Sequence, residues 1–189
     1  IIKFKIEFNN ILEDIIKILE LGKTKEKIKI LETLHNTNEL KILEQIILRL
    51  NDDSIQVRGE AFSVLLLNQN QISKILIDNL NSSNKNIRGF TSLALANRNE
   101  KSAIPEIIKL VKDKHAMVRS CAIGALGYLK AKKITDIILK LISDSNLEVQ
   151  KSALQAAIQT DIIVSKDKIK GIEKSVDLQI KNLLLKLKK

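Results

Sequence analysis

Residues 104–129 read IPEIIKLVKDKHAMVRSCAIGALGYL and contain two amphipathic stripes with a short polar stretch between them. Apolar side chains recur at helical spacing in 104–111 and again in 118–129, so each stripe predicts a helix with one buried face. Residues 112–116 are polar or small, and so short a connection makes consecutive helices run antiparallel. The stretch therefore predicts an αα-hairpin. Its second helix is rich in small residues, which allow a neighbouring helix to approach closely.

The hairpin recurs along the chain at a nearly constant period. The apolar residue that begins each second stripe, here called the frame residue, returns at separations of 30 or 31 residues. The frame residues are Val57, Ile87, Val118, Val149 and Ile180. A degenerate copy precedes them, in which Ile30 and Leu34 keep the stripe. Because this self-similarity is the signature of stacked helical repeats, we predict an all-α fold. Its expected architecture is a right-handed α-solenoid of about six stacked antiparallel helix pairs.

The repeat register places residues 1–189 in a single repeat domain that starts with a non-repeat segment, residues 1–10. The expected hairpins lie at approximately 11–36, 37–68, 69–98, 99–130, 131–160 and 161–189. Residues 1–8 alternate apolar and charged side chains with a strand period. A lone strand is unstable, so this segment either pairs with another region or partner, or is drawn into the first helix. The expected N-caps, four residues before a frame residue, are Asp53, Ser83 and Ser145.

The second-helix stretch also carries a recognisable pattern, L-x-x-D-x-x-x-x-VR-x-x-A-x-x-ALG-x-L. It is present as Leu110, Asp113, Val118, Arg119, Ala122, Ala125, Leu126, Gly127 and Leu129. This pattern resembles the HEAT repeat, and the repeat length is most similar to the phycobilisome-lyase-like subclass. The resemblance implies that second helices line a concave surface.

The same resemblance implies a ladder of Asp and Arg side chains between adjacent repeats. Asp52 with Arg58 and Asp113 with Arg119 match its positions. The pattern is lost where Ser82, Gln150 and Lys181 stand. We therefore expect the ladder to be broken near the C-terminus.

Composition narrows the class of protein further. The formal net charge is +10, but it comes from 27 lysines and only five arginines, and lysine is the less specific of the two in recognition. Residues 96–189 carry +9 of this charge. A lone cysteine offers no internal disulfide, and no apolar run reaches the length of a membrane span. We expect a cytoplasmic protein.

No set of residues in the sequence suggests a reaction. His35 and His115 lie on different repeats, which argues against a metal site, and Cys121 occupies a small-residue position suited to packing rather than to nucleophilic attack. Phosphate-binding loops and paired metal-ligand motifs are absent from the sequence. We therefore expect no enzyme activity and no cofactor.

Two functions remain, and we favour the first. It is a protein-interaction scaffold that holds a partner helix or peptide along the concave face of its second helices. The residues expected to face the partner are Glu60, Ser63, Phe90, Leu93, Cys121, Gly124, Lys151 and Gln155. The alternative is binding of nucleic acid or another polyanion in the basic half. Its candidates are Lys130, Lys132, Lys133, Lys166, Lys168 and Lys170.

The last predicted helix suggests one further contact. Leu183, Leu184, Leu185 and Leu187 make it more apolar than a terminal repeat that faces water. We expect a continuation of the chain, a partner or a second copy to meet it.

Overall fold

A computed structural model describes residues 2–170, 172 and 177–187, and these residues form helices and turns without a β-strand. The helices are α1 (Ile2–Leu21), α2 (Thr24–Leu31), α3 (Leu40–Arg49), α4 (Ile55–Leu67), α5 (Ser73–Asp78), α6 (Lys85–Asn97), α7 (Ile104–Leu110), α8 (Ala116–Tyr128), α9 (Thr135–Leu141), α10 (Leu147–Gln159), α11 (Lys166–Ile169) and α12 (Leu178–Leu187). A short 3-10 turn at Asn79–Asn81 follows α5, and another at Lys101–Ala103 precedes α7. The predicted all-α class is confirmed.

The strand interpretation of residues 1–8 is wrong. Helix α1 begins at Ile2 and continues without a break to Leu21. Of the two alternatives, absorption into the first helix is therefore the correct one. Extending an existing helix adds a backbone hydrogen bond for each residue fixed, whereas a strand without a neighbour leaves its backbone groups unpaired.

The chain divides into two compact units, Ile1–Ile75 and Leu76–Lys189, with the division inside α5. In the first unit α1 packs on α2 and α3, and α4 packs on α2 and α3. In the second unit the hairpins α7–α8 and α9–α10 are each closed by contact between their two helices. The second helices α6, α8, α10 and α12 also pack side by side in chain order. Both units are therefore built from paired helices, as the repeat predicts.

The repeat register is confirmed by burial. All five frame residues are at most 4% exposed. The residue four positions later is also fully buried in four of the repeats, as Ala61, Thr91, Ala122 and Ala153. These two positions lie one helical turn apart on the same face, so each of these repeats contributes such a turn to the core of its own unit. Small side chains at the second position let successive helices pack closely.

The second helices begin one residue later than the sequence predicts. Ser54, Asn84 and Asn146 are the observed N-caps, three residues before their frame residues, and they replace the expected Asp53, Ser83 and Ser145. Each observed cap accepts a hydrogen bond from the backbone amide of the frame residue. Asn fits this role as well as Ser or Asp does. Several residues that favour the N-cap position follow one another before each helix, so the sequence alone does not show which of them is the cap.

Side-chain rungs join successive repeats within the second unit. The basic residue that follows a frame residue pairs with the aspartate of the following repeat, through Arg88 to Asp113 and Arg119 to Asp144. Both pairs are bidentate, and the arginine Nη1 also donates to a backbone carbonyl of its own repeat. Arg58 differs, because it donates to the carbonyls of Asp52 and Asp53.

The two ends of the ladder depart from the sequence interpretation. The carboxylate of Asp52 is paired with Lys27, 2.8 Å away, so the degenerate first copy contributes a rung. At the other end the side-chain amide of Gln150 donates to the carbonyl of Asp144. Its neighbour Lys151 instead supplies a rung to Asp177, at 2.8 Å. The expected break near the C-terminus is therefore bridged by a lysine one position further on. Ser175, at the equivalent ladder position, lies outside the described residues.

Candidate partner-binding groove

The second unit contains a groove of about 300 Å³ across the exposed face of α6, α8, α10 and α12, which we call the second-helix groove. Leu93, Tyr128 and Leu183 give it apolar walls. Gly124 lies between them on α8. The groove follows from the repeat itself, because Leu93, Gly124 and Gln155 are each six residues after a frame residue and lie in one row.

A second row of the groove was missed from the sequence. Asn97, Tyr128 and Gln159 each lie ten residues after a frame residue and line the groove beside the first row. Positions six and ten are four apart, so they share a helix face. The 31-residue spacing of these three residues was the available signal.

The expected partner-binding residues fall into three groups. Leu93, Gly124, Lys151 and Gln155 line the second-helix groove together. Phe90 and Cys121 are half-buried on α6 and α8 and lie outside its lining. Glu60 and Ser63 are half-buried on α4, in the first unit.

Glu60 has a specific neighbour within the first unit. Its Oε1 lies 3.8 Å from Nε2 of His35, and His35 Nδ1 is buried without a hydrogen-bond partner in the described chain. Glu60 of α4 therefore lies next to His35, which follows α2.

Lys151 is a structural cation. Its Nζ lies 2.9 Å from Glu148 and 2.8 Å from Asp177, and its side chain is 12% exposed. The hydrogen bonds that Lys151 donates to Asp177 and then to Glu148 raise the pKa of Lys151, and the first of them lowers the pKa of Asp177. The lysine therefore ties α12 to α10, and its charge is neutralised inside this wall of the groove.

Two glycines on α8 serve opposite purposes. A Cβ built on Gly127 would lie 2.7 Å from the Cα of Ala156 on α10, so Gly127 permits the close contact of these helices. A Cβ on Gly124 would meet nothing within 4 Å. Glycine in a helix interior costs about 1 kcal/mol of stability relative to alanine. At Gly124 no close helix contact within the second unit offsets this cost.

Cys121 has the environment of a packing residue. Its Sγ lies 3.6 Å from Sδ of Met117, and burial raises the pKa of the thiol to about 11. Among the described residues, no group of three or more His, Cys, Asp or Glu side chains is placed to hold a metal ion.

We expect Cys121 to react at least about tenfold more slowly with iodoacetamide in the folded protein than in urea, at about pH 8, because the thiolate is the reactive form. Mass spectrometry of timed samples measures this difference. Equal rates in the two conditions would contradict the assignment of Cys121 to packing.

The polyanion candidates lie in two segments of the chain, the turn after α8 and the region around α11. Lys130, Lys132 and Lys133 are exposed in the turn after α8, and Lys130 and Lys133 have left-handed backbone conformations. Lys168 lines a separate hollow together with Asp136 and Asp144. Lys170 is exposed, and the side chain of Lys166 lies outside the described part of the chain.

The terminal helix α12 buries only part of its apolar surface. Leu183 and Leu184 are buried, whereas Leu185 is 64% exposed and Leu187 is half-buried.

No helix in the described part of the chain has the length and apolar character needed to cross a membrane.

These features define a helical-repeat protein, and comparison with known families agrees. A family profile described as HEAT repeats matches residues 73–158. A second profile, described as a HEAT repeat associated with sister chromatid cohesion, matches residues 32–59. HEAT repeats are thus matched in both units, whereas the finer assignment to a subclass is not. No curated protein matches the sequence.

Solved structures share the fold over nearly the whole chain. An engineered protein from the Northeast Structural Genomics Consortium is 17% identical, with 93% of this chain and 94% of that chain covered and a TM-score of 0.53. A designed armadillo repeat protein in complex with the peptide (KR)4 is 15% identical, with 92% and 96% covered and a TM-score of 0.55. A second designed armadillo repeat protein is 17% identical, with 93% and 98% covered and a TM-score of 0.50.

Proposed function

We propose that this chain is a non-enzymatic scaffold that holds a segment of a partner protein in the second-helix groove. The observation that carries the proposal is the pair of residue rows, six and ten positions after each frame residue, which line one continuous groove on three successive repeats. HEAT and armadillo repeat scaffolds are generally non-enzymatic, and one fold neighbour was solved with a bound peptide. Repeat surfaces of this kind suit extended partners.

A glycine substitution tests this function. Leucine at position 124 would fill the groove without disturbing the packing, since the space over Gly124 is open. We expect peptides selected by the wild-type protein from a randomised display library to bind Gly124→Leu at least about tenfold more weakly, a loss of about 1.4 kcal/mol. Fluorescence anisotropy with the synthetic peptides measures the affinity.

The matched control is Gly59→Leu on α4, which also introduces leucine into open space on a second helix but lies in the first unit. It should bind the same peptides with unchanged affinity. If no selected peptide distinguishes Gly124→Leu from the control, the groove is not the binding surface and the proposed function is wrong.

The polyanion alternative has a separate test, which is binding to mixed DNA and RNA at increasing salt. A footprint of about six phosphate contacts would lose on the order of a thousandfold in affinity between about 50 and 200 mM salt. We expect weak binding at low salt only, because Lys168 lines a hollow together with Asp136 and Asp144, whose carboxylates carry the same sign of charge as phosphate.

A triple variant, Lys130→Asn, Lys132→Asn and Lys133→Asn, removes the charge at the turn, and asparagine tolerates the left-handed backbone there. Micromolar binding at about 150 mM salt that this variant abolishes would make nucleic acid the primary ligand.

Three finer proposals accompany the main one. The repeat length supports the phycobilisome-lyase-like subclass as the specific relation, with no lyase activity implied by that name. The continuous register supports a single repeat domain of six hairpins over residues 1–189. The lone cysteine, which offers no internal disulfide, supports a cytoplasmic location. The exposed Leu185 supports a further contact through α12.

A further inference from the structure

The ionic cluster at the second-helix groove has a net charge opposite in sign to that of the whole chain. The whole chain carries +10, yet the ionic cluster at the groove consists of Glu148, Lys151 and Asp177, with a net charge of −1. The side chain of Glu148 is 69% exposed, whereas that of Lys151 is 12% exposed. An occupant of the groove therefore meets a carboxylate and not an ammonium group.

Amide side chains give the groove its remaining polar character. Asn97, Gln155, Gln159 and Gln179 line it, and each amide offers both a donor and an acceptor. The Nδ2 of Asn97 donates to the carbonyl of Leu93 at 2.9 Å, so its Oδ1 is the atom of this amide that can accept a hydrogen bond from an occupant. Amides complement the N–H and C=O groups of a peptide backbone. A helix satisfies these groups internally, so the lining fits an extended chain better.

The floor of the groove sets how close that chain can come. Gly124 is the lining residue without a side chain, and the space over it is open. Glycine at such a position allows a ligand backbone to approach a helix closely. The groove crosses four helices at an interaxial spacing of about 9 Å, which an extended segment of about eight residues covers.

We propose that the occupant of the second-helix groove is an extended, non-acidic peptide segment that lays its backbone over Gly124 and places a lysine or arginine beside Glu148. This inference rests on the proposed function and adds the chemistry of the partner. Opposite charges across an interface favour the matched partner, and like charges reject the wrong one.

Selection from a randomised peptide display library, followed by sequencing, tests the composition of the occupant. We expect peptides whose binding depends on Gly124 to contain lysine or arginine and to be depleted in aspartate and glutamate. A synthetic version of one such peptide, with its basic residue replaced by glutamate, should bind at least about tenfold more weakly.

Charge reversal in the protein gives the complementary measurement. Glu148→Lys should weaken the basic peptide at least about tenfold. The matched control is Glu106→Lys on α7, because both carboxylates lie in the first turn of a helix and pair with a lysine three residues later. Both variants change the net charge equally, so the control removes the long-range effect of charge.

The outcomes separate the two claims. Peptides lost on Gly124→Leu that are rich in acidic residues, or that bind Glu148→Lys and Glu106→Lys equally well, would overturn the inference about the partner and leave the groove function standing. Failure to find any peptide lost on Gly124→Leu would overturn the groove function itself. Circular dichroism and thermal melts of every variant show whether a loss of binding reflects unfolding.

Discussion

Gly127→Val is expected to lower the free energy of unfolding by about 3 kcal/mol, the upper end of the usual cost of overpacking. A Cβ at this position would lie 2.7 Å from Cα and 2.8 Å from Cβ of Ala156, and 2.5 Å from Oε1 of Gln159. The first of these atoms belongs to the backbone of α10, so α8 and α10 must move apart. Urea unfolding followed by circular dichroism at 222 nm measures the loss.

The control for this variant lies three residues earlier in the same helix. Gly124→Ala adds a methyl group in open space, so it should stabilise the protein by about 0.5–1 kcal/mol through higher helix propensity. Opposite signs at the two positions are the expected result. Destabilisation of similar size at both would mean that α8 and α10 are not in the close contact described.

The period of the sequence predicted most of the second unit, because burial repeats with it. Val118 and Val149 are fully buried, as the register requires. For residues 1–8 the sequence left two outcomes open, pairing as a strand or absorption into the first helix, and the structure shows a helix from Ile2. Alternating apolar and charged residues form a stable strand only beside another strand. The local sequence does not show whether such a neighbouring strand exists.

The groove was half predicted. The row that contains Leu93 and Gly124 follows from helical spacing, and the row that contains Asn97 and Tyr128 could have been found by the same argument. The role of Lys151 could not. Its partner Asp177 lies 26 residues away, directly before α12, and the repeat pattern places the rung at Gln150. A lysine can reach from the neighbouring position because its side chain is long and flexible.

The ladder is expected to contribute strongly to stability at the α8–α10 junction. Asp144→Ala should lower the free energy of unfolding by about 2–3 kcal/mol. The carboxylate of Asp144 accepts from Nε and Nη2 of Arg119 and from the backbone amide of Asn146. Its side chain is 10% exposed and that of Arg119 is 16% exposed, so removing the acid leaves a poorly hydrated guanidinium group.

The more exposed pair of Glu106, which is 27% exposed, and Lys109 is the control. Lys109 is 66% exposed, and surface pairs of this kind contribute less than about 1 kcal/mol. A double-mutant cycle with Arg119→Met isolates the coupling between Arg119 and Asp144 from the other effects of each substitution. Similar losses for Asp144→Ala and Glu106→Ala at neutral pH would show that the pair of Arg119 and Asp144 contributes no more to the free energy of unfolding than a surface pair does.

The pH dependence of this loss separates the ion pair from simple packing. The hydrogen bond from Arg119 lowers the pKa of Asp144, so the ion pair stabilises the folded state above the ordinary aspartate pKa of about 3.9. This stabilisation disappears as the pH falls through the lower pKa of the folded state. The difference between the wild-type protein and Asp144→Ala should therefore be full at neutral pH and shrink below about pH 4. A difference that stays constant to about pH 2 would assign the loss to the missing side-chain volume, because a packing defect does not titrate.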